Sequence, residues 1–240
     1  MMSEFFRRNK RVAAFFFPHS KMLDRLNSNA QLFRFIRQHP VKIVQDRKKF
    51  HRHIHSEYCA NGELYYLEFG VSRGESLKWW IEFSKNERSR FFGFDTFEGL
   101  PENWQLLFGA IKAGTYSTGG QLPAITDDRV TFIKGLFQDT LDGFLAGWRQ
   151  PKTVVIHLDA DLYSSTLYVL TRLHDIVANG AILIFDEFCT ACDEFRAFDN
   201  YIAAYRTPFR CLAASTSDYR QVAIATGRLA DITTIRSKLT

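Results

Sequence analysis

Four carboxylates stand directly after two apolar runs of this sequence. Asp159 and Asp161 follow the run VVIHL, and Asp186 and Glu187 follow the run AILIF. Oxygen ligands of this kind suit a hard divalent cation such as Mg²⁺, which lowers the pKa of a bound hydroxyl group. The pattern therefore predicts a metal held by Asp159, Asp186 and Glu187, with Asp161 accepting a proton as general base. The alternative for Asp161 and Asp186 is that they cap the helices that follow them.

A second group of residues has the spacing of a nucleoside-cofactor site. Glu68, Gly70 and Gly74 surround the end of the apolar run YYLEF, and Asp95 ends the next apolar run. Glycine lets the backbone approach a ligand closely, and an acid at the next strand end can accept the hydroxyl groups of a ribose. Neither the glycine pattern of a dinucleotide site nor a P-loop is present. The pattern predicts a cofactor with a ribose and no phosphate, such as S-adenosylmethionine; a structural turn is the alternative for the glycines.

Repeated strand–helix units would bring these residues to one edge of a sheet. From about residue 63 onward, short apolar runs alternate with segments that have helical spacing of apolar residues. Such runs are typical of a parallel sheet, whose ligands bind at the carboxyl ends of the strands. The predicted fold class is α/β: a Rossmann-like, mostly parallel, seven-stranded sheet with helices on both faces, a C-terminal antiparallel hairpin and a helical N-terminal extension. The predicted strands are 63–69, 90–95, 129–135, 153–159, 181–186, 209–216 and 220–227.

Two connections between these elements are candidates for ligand contact. The third predicted strand ends at Gly135, which we include among the cofactor-binding residues. Residues 96–128 are rich in Gly, Pro, Thr and Ser and too long for an ordinary connection, so they are predicted to be a functional loop or lid.

Charge is distributed unevenly along the chain. Residues 1–52 contain 13 Lys and Arg against 3 Asp and Glu, while the remainder contains 18 against 23. The basic part also contains many Phe residues, which predicts a helical extension over residues 1–60 that serves as a lid or an oligomer contact. Binding of nucleic acid or an anionic membrane surface is the alternative. Residues 61–240 are predicted to form the S-adenosylmethionine-dependent domain.

Composition excludes several other classes. No apolar run reaches the roughly 18 residues of a membrane-spanning helix, and no signal peptide is recognisable, so we expect a cytoplasmic protein. Four cysteines in 240 residues do not indicate a disulfide framework. Cys189 and Cys192 form a lone C-x-x-C without further soft ligands, which favours coincidence over a zinc or redox site.

Four motifs in order resemble the macrocin O-methyltransferase (TylF-type) family. They are LEFGVSRGES, GFDTFEGLP, HLDADLYSST and IFDEF, and the resemblance covers roughly residues 62–226. It implies a class I S-adenosylmethionine-dependent methyltransferase that uses a divalent metal to methylate sugar hydroxyls of natural products. Its implied partner is a small hydroxyl-bearing acceptor, while the aromatic basic arm separately predicts a homo-oligomer. The implied roles are metal ligand for Asp159, Asp186 and Glu187, base for Asp161, and cofactor contact for Glu68, Gly70, Ser76 and Asp95.

Two positions depart from the family pattern. Glu187 stands where the family commonly has a second aspartate, and Leu162 stands where some relatives have a histidine. His157 lies within its strand and is interpreted as a core histidine.

Two other functions compete with this interpretation. Asp159 and Asp161 also form a D-x-D, the motif with which glycosyltransferases hold a divalent ion against a nucleotide sugar, but that function leaves Asp186 and Glu187 without a role. A non-catalytic binding protein of the same fold is the other alternative.

Overall fold

The computed structural model describes residues 21–59, 62–106, 109–151 and 153–230. Within them the strands are β1 (Lys42–Ile43), β2 (Leu64–Phe69), β3 (Arg90–Asp95), β4 (Trp104–Gln105), β5 (Ala110–Ile111), β6 (Val130–Lys134), β7 (Thr153–Leu158), β8 (Ile182–Phe185), β9 (Phe209–Ala214) and β10 (Val222–Thr226). The helices are α1 (Lys21–Gln38), α2 (Arg47–Ile54), α3 (Glu75–Phe83), α4 (Phe137–Ala146), α5 (Tyr163–Arg172), α6 (His174–Gly180) and α7 (Glu194–Tyr205). A π-helical segment, His55–Cys59, continues α2, and a 3₁₀ turn, Gly227–Leu229, follows β10.

Eight of these strands form one sheet in the spatial order β1-β9-β10-β8-β7-β2-β3-β6. β2 lies parallel to both β3 and β7, and the parallel pairing continues outward to β6 and β8. β10 is antiparallel to both β8 and β9, as expected for the closing hairpin. The predicted α/β fold class is therefore confirmed, and the strand ends that carry the carboxylates lie at one edge.

The structure differs from the sequence prediction in two places. β1 adds an eighth strand, paired parallel with β9; its two residues are too few to show any periodicity. Residues 165–178 have the apolar spacing of one continuous helix in the sequence, but the structure divides them at Leu173 into α5 and α6. The Thr171 hydroxyl donates to backbone carbonyls in the preceding turn, an arrangement that bends helices.

Apolar side chains of alternate strand residues form two layers, one on each face of the sheet. Leu32 and Phe35 of α1 pack into one layer, and Phe50 and Ile54 of α2 pack into the other. The described part of the predicted N-terminal extension is thus integral to the core. Residues 1–20, which carry part of the basic and aromatic pattern, lie outside the described residues.

The segment between β3 and β6 has little regular structure apart from the antiparallel pair β4 and β5. Leu100 and Trp104 of this segment form a small apolar cluster with Leu162, which follows β7. This cluster places the segment over the strand ends. No helix in the described ranges is long and apolar enough to cross a membrane.

Candidate active site

A cavity of about 550 Å³ opens at the carboxyl ends of β2, β3, β7 and β8. Its wall combines the two groups of residues that the sequence singled out with the segment between β3 and β6. The lining residues that the sequence predicted are Gly70, Asp95, Asp159, Asp161, Asp186 and Glu187; others are Ser72, Thr96, Gly99, Leu100, Pro101, Glu102, Tyr116, Leu136, Phe137, Gln138, Ala160, Ser164 and Ser165.

Asp95 organises the turn between β2 and α3. One carboxylate oxygen accepts the backbone N–H groups of Val71 and Ser72, each at 2.8 Å, and the other accepts that of Phe97 at 2.7 Å. A carboxylate has about four acceptor positions, so three are filled by the protein. Asp95 therefore has room for about one further hydroxyl donor, fewer than the two ribose hydroxyls considered from sequence.

Gly70 and Gly74 have positive φ angles of 95° and 72°. A Cβ atom on Gly70 would lie 1.9 Å from the backbone oxygen of Asp159, so the turn after β2 presses directly against the end of β7. Gly74 is the N-cap of α3, and a Cβ there would meet Pro123 at 3.1 Å. The local backbone structure thus accounts for glycine at both positions, and Gly70 also lines the cavity.

Four of the predicted cofactor residues do not line this cavity. Glu68 is buried within β2, and burial raises its pKa to about 8, with Arg47 opposing the shift. Ser76 is buried in the first turn of α3, and Gly74 precedes it. Gly135 donates its N–H to the backbone oxygen of Asp95 at 3.0 Å, and this hydrogen bond holds the end of β3 in the cavity wall.

Arg47, at the start of α2, joins two of the predicted metal ligands. Its Nη2 lies 2.6 Å from Asp159 Oδ2, and its Nε lies 2.8 Å from Asp186 Oδ1. Burial works against the charge of Arg47, but Asp159 and Asp186 hold its pKa above the ordinary value. The single positive charge of the guanidinium is therefore shared between the two carboxylates at the strand ends.

Glu187 has a different cationic partner. Arg220 Nη2 donates to Glu187 Oε1 at 3.0 Å, and the Arg220 side chain is 58% exposed. Among the described residues, the groups whose ligand atoms all lie within 4.8 Å of one another are His51, His157 and Asp186, and Glu68, His157 and Asp159. Glu187 is in neither group. The predicted metal set of Asp159, Asp186 and Glu187 is thus not gathered around one point.

Two buried histidines lie behind Asp186. His157 Nε2 is 3.6 Å from Asp186 Oδ1, while its Nδ1 lies 2.8 Å from the Tyr66 hydroxyl. His51 Nδ1 accepts the indole N–H of Trp80 at 2.9 Å, so its Nε2 carries the proton of the neutral ring. Burial opposes the charge of Asp186, but His157 and Arg47 lower its pKa. The interpretation of His157 as a core histidine is consistent with its complete burial.

Asp161 lines the same cavity as Asp159, Asp186 and Glu187. β7 ends at Leu158, and Asp161 adopts a left-handed conformation with φ of 60°, so the strand geometry does not persist as far as this residue. Leu162 is the N-cap of α5 and makes no side-chain capping bond, so Asp161 is not that helix's cap. Asp186 is likewise not a helix cap, since α7 begins after Asp193. Burial, and then the Glu187 and Asp186 carboxylates, raise the pKa of Asp161 to about 7.

Sequence reasoning missed both arginines. Arg47 stands in the basic run DRKKF, which has the composition of a solvated surface, and it lies 112 residues from Asp159 and 139 from Asp186. The one local signal is Asp46, an N-cap whose carboxylate accepts the Lys49 N–H and so fixes the helix start. Arg220 follows the predicted hairpin turn, and nothing in the local sequence indicates that it pairs with Glu187.

The comparisons with known proteins agree with the resemblance found in the motifs. Residues 122–208 match the family model described as Macrocin-O-methyltransferase (TylF). The chain is also similar to an 8-demethyl-8-(2,3-dimethoxy-alpha-L-rhamnosyl)-tetracenomycin-C 4'-O-methyltransferase of Streptomyces olivaceus, at 39% identity over 55% of this chain and 58% of that protein. The match thus spans little more than half the length of this curated relative.

Solved structures agree on the fold. The O-methyltransferase NovP superposes with a TM-score of 0.56 at 22% identity, over 76% of this chain and 80% of that one. An O-methyltransferase from Bacillus cereus in complex with SAH superposes with a TM-score of 0.52 at 18% identity, over 95% of this chain and 100% of that one. The predicted resemblance to the macrocin O-methyltransferase family is confirmed by the family model and the curated relative.

Proposed function

We propose that this chain is an O-methyltransferase that moves a methyl group from S-adenosylmethionine to a hydroxyl group of a sugar or sugar-containing natural product. The observation that supports this most directly is the single cavity that runs from Gly70 and Asp95 to Asp161. A donor bound beside Gly70 and Asp95 and an acceptor bound beside Asp161 would share one cavity, as direct methyl transfer requires.

Gly70 and Asp95 are proposed to hold the cofactor. The remaining acceptor position of Asp95 is available to a ribose hydroxyl, and the backbone at Gly70 and Ser72 forms the adjoining wall. The SAH bound to the Bacillus cereus protein of the same fold supports this choice of cofactor. The other predicted cofactor residues are proposed to support this wall without lining the cavity; they are Glu68, Gly74, Ser76 and Gly135.

Asp161 is proposed as the general base. Its raised pKa of about 7 makes it a better proton acceptor than an ordinary aspartate while leaving it substantially ionised near neutral pH. The acceptor oxygen attacks the methyl carbon, the sulfur–carbon bond breaks, and the hydroxyl proton passes to Asp161. The products are S-adenosylhomocysteine and a methyl ether.

The acceptor class follows from the relatives. The Streptomyces protein is named for 4'-O-methylation of a rhamnosyl group, which supports a sugar hydroxyl as the acceptor here. Glu102, Ser164 and Tyr116 lie in the cavity wall and offer hydrogen-bonding groups suited to a sugar. A cytoplasmic location and assembly into a homo-oligomer, both expected from sequence, are part of the proposal.

The predicted Mg²⁺ site does not fit the arrangement of the side chains. Asp159 and Asp186 already accept the guanidinium of Arg47, and Glu187 pairs with Arg220 instead of converging with them. Three anionic ligands around one ion would need both arginines to move. The mechanism above therefore contains no step through a metal.

Calorimetry and a transfer assay test the proposal together. The protein is titrated with S-adenosylmethionine and, separately, with UDP-sugars; binding of the first alone is expected. Methyl transfer from radiolabelled S-adenosylmethionine is then measured with glycosides of deoxysugars and with the matching aglycones. Label in the glycosides and not in the aglycones supports a sugar acceptor, whereas binding of a UDP-sugar without S-adenosylmethionine would overturn the proposal.

A further inference from the structure

We propose that the guanidinium of Arg47 is the resident cation of the acidic site and takes the place of a divalent metal between Asp159 and Asp186. The inference rests on the proposed function insofar as it describes that function's site. It adds that Arg47 is a positioning residue and that the site needs no metal.

The first argument is the use of lone pairs. Arg47 Nη2 donates to Asp159 Oδ2 at 2.6 Å, and its Nε donates to Asp186 Oδ1 at 2.8 Å. Both are charge-assisted hydrogen bonds from one planar guanidinium. A Mg²⁺ ion held by the same carboxylates would need oxygens at about 2.0–2.1 Å in near-octahedral geometry. The guanidinium already engages one oxygen of each carboxylate, Asp159 Oδ2 and Asp186 Oδ1, and would compete with such an ion for them.

The second argument is the way in which Arg47 is held. α2 begins at Arg47 because the Asp46 carboxylate caps it by accepting the Lys49 N–H at 2.9 Å. One turn further, Phe50 is completely buried in the core. The guanidinium also lies 5.8 Å from the ring centre of Trp79, within the range of a cation–π contact. Arg47 is therefore delivered by a packed helix and is not a surface side chain that happens to reach the site.

The third argument is the environment of the two carboxylates. Asp186 is also approached by the Nε2 atom of His157 at 3.6 Å from behind. The third predicted ligand, Glu187, is engaged by Arg220. A divalent ion added beside Arg47 would meet a like charge on one side, and the third carboxylate already has an arginine partner. The donor set therefore fits one guanidinium better than it fits a divalent ion.

A Mn²⁺ titration, followed by electron paramagnetic resonance, tests the inference on the full chain. The samples are the wild-type protein, Arg47→Met, Arg47→Lys and Arg52→Met. Arg52 lies on the same helix with its side chain 60% exposed, so Arg52→Met is the matched control. Methyl transfer by the wild-type protein is measured in parallel with and without EDTA.

We expect the wild type and Arg52→Met to bind Mn²⁺ weakly and equally. Arg47→Met, which vacates the space between the carboxylates, should bind Mn²⁺ at least about tenfold more tightly, and Arg47→Lys, which keeps the charge, should resemble the wild type. Wild-type methyl transfer should be unchanged by EDTA.

Tight Mn²⁺ binding by the wild type, or loss of its methyl transfer in EDTA, would overturn the inference while leaving the proposed function intact. Unchanged Mn²⁺ affinity in a folded Arg47→Met would overturn it as well. If Arg47→Met does not fold, the wild-type titration and the EDTA comparison decide the question. Absence of methyl transfer from every sample, with Mn²⁺ affinity gained in Arg47→Met, would refute the proposed function and not the assignment of the cation.

Discussion

The two ends of the cavity stabilise their carboxylates in different ways. At the end of β3, Asp95 accepts three backbone N–H groups, all from residues within 24 positions of it. At the ends of β7 and β8, Asp159 and Asp186 accept a guanidinium from a helix that is 112 and 139 residues away. The first end is completed by its own strand–helix units, and the second depends on a distant element.

This difference determines what each end tolerates. Backbone donors persist whatever the side chains of Val71, Ser72 and Phe97 are, so the first end depends on chain geometry. The second depends on the identity of one side chain, Arg47. The following predictions test the contrast, from the largest expected effect to the smallest.

Asp161→Asn should lower the turnover number by about 10²–10⁴-fold, because general acid–base catalysis typically contributes that much. Affinity for S-adenosylmethionine should stay nearly unchanged, since Asp161 is not among the residues proposed to hold the cofactor. Single-turnover methyl transfer and calorimetry measure the two quantities. Asp142→Asn, whose side chain is exposed on α4, is the control. Equal turnover in both variants would remove Asp161 from the chemistry.

The pH dependence of the same reaction sharpens this assignment. Burial raises the pKa of Asp161 to about 7, so the base loses its proton as pH rises through that value. The rate should therefore rise with pH and level off above about 7 in the wild type. A pH–rate profile of Asp161→Asn should lack this rise, and a profile identical to the wild type would contradict the role.

Arg47→Met should lower the free energy of unfolding by about 3 kcal/mol, the lower end of the range for removing one partner of a buried ion pair. The lower end applies because the Arg47 side chain is 32% exposed. Urea denaturation measures the loss. The control is Lys48→Met on the same helix as Arg47. It removes an exposed ion pair with Glu82 of α3 and should cost no more than about 1 kcal/mol. Similar losses in the two variants would show that Arg47 is not a special contact.

Asp95→Asn should weaken S-adenosylmethionine binding by about 1.5–3 kcal/mol, the range for hydrogen bonds to a charged group. The amide replaces one acceptor oxygen with a donor, so the turn after β2 also loses part of its backbone anchoring. Calorimetry compares it with Glu98→Gln, an exposed acid of the same loop. An affinity equal to that of Glu98→Gln would place the ribose elsewhere.

Arg220→Met should have the smallest effect, no more than about 1 kcal/mol on the free energy of unfolding, because the Arg220 side chain is 58% exposed and its ion pair is screened by water. A loss as large as that of Arg47→Met would mean that Glu187 is as dependent on its arginine as the other two carboxylates. Urea denaturation of both variants under one set of conditions makes the comparison.

The sequence predicted the parts of the molecule that depend on local pattern. Continuous apolar runs identified the seven principal strands, and the acids at their ends marked the cavity, because parallel strands bring their carboxyl ends to one edge. The two-residue strand β1 and the helix division at Leu173 escaped prediction, since neither leaves a periodic signal.

The cationic half of the site could not be predicted because it depends on long-range contacts. Arg47 lies among Lys48, Lys49 and Arg52, and composition does not distinguish the one that turns inward. Only the packing of Phe50 and Ile54 fixes which face of α2 points to the strand ends. The pairing of Glu187 with Arg220 is a long-range contact of the same kind, and no local pattern indicates it.

The separation between Arg47 and its partners has a consequence for synthesis of the chain. Arg47 leaves the ribosome 112 residues before Asp159. At a synthesis rate of about 5–20 residues per second, Asp159 is added to the chain roughly 6–22 s after Arg47. Arg47 can therefore form its ion pairs with Asp159 and Asp186 only after the ends of β7 and β8 have been made, so the acidic site is completed late in synthesis of the chain.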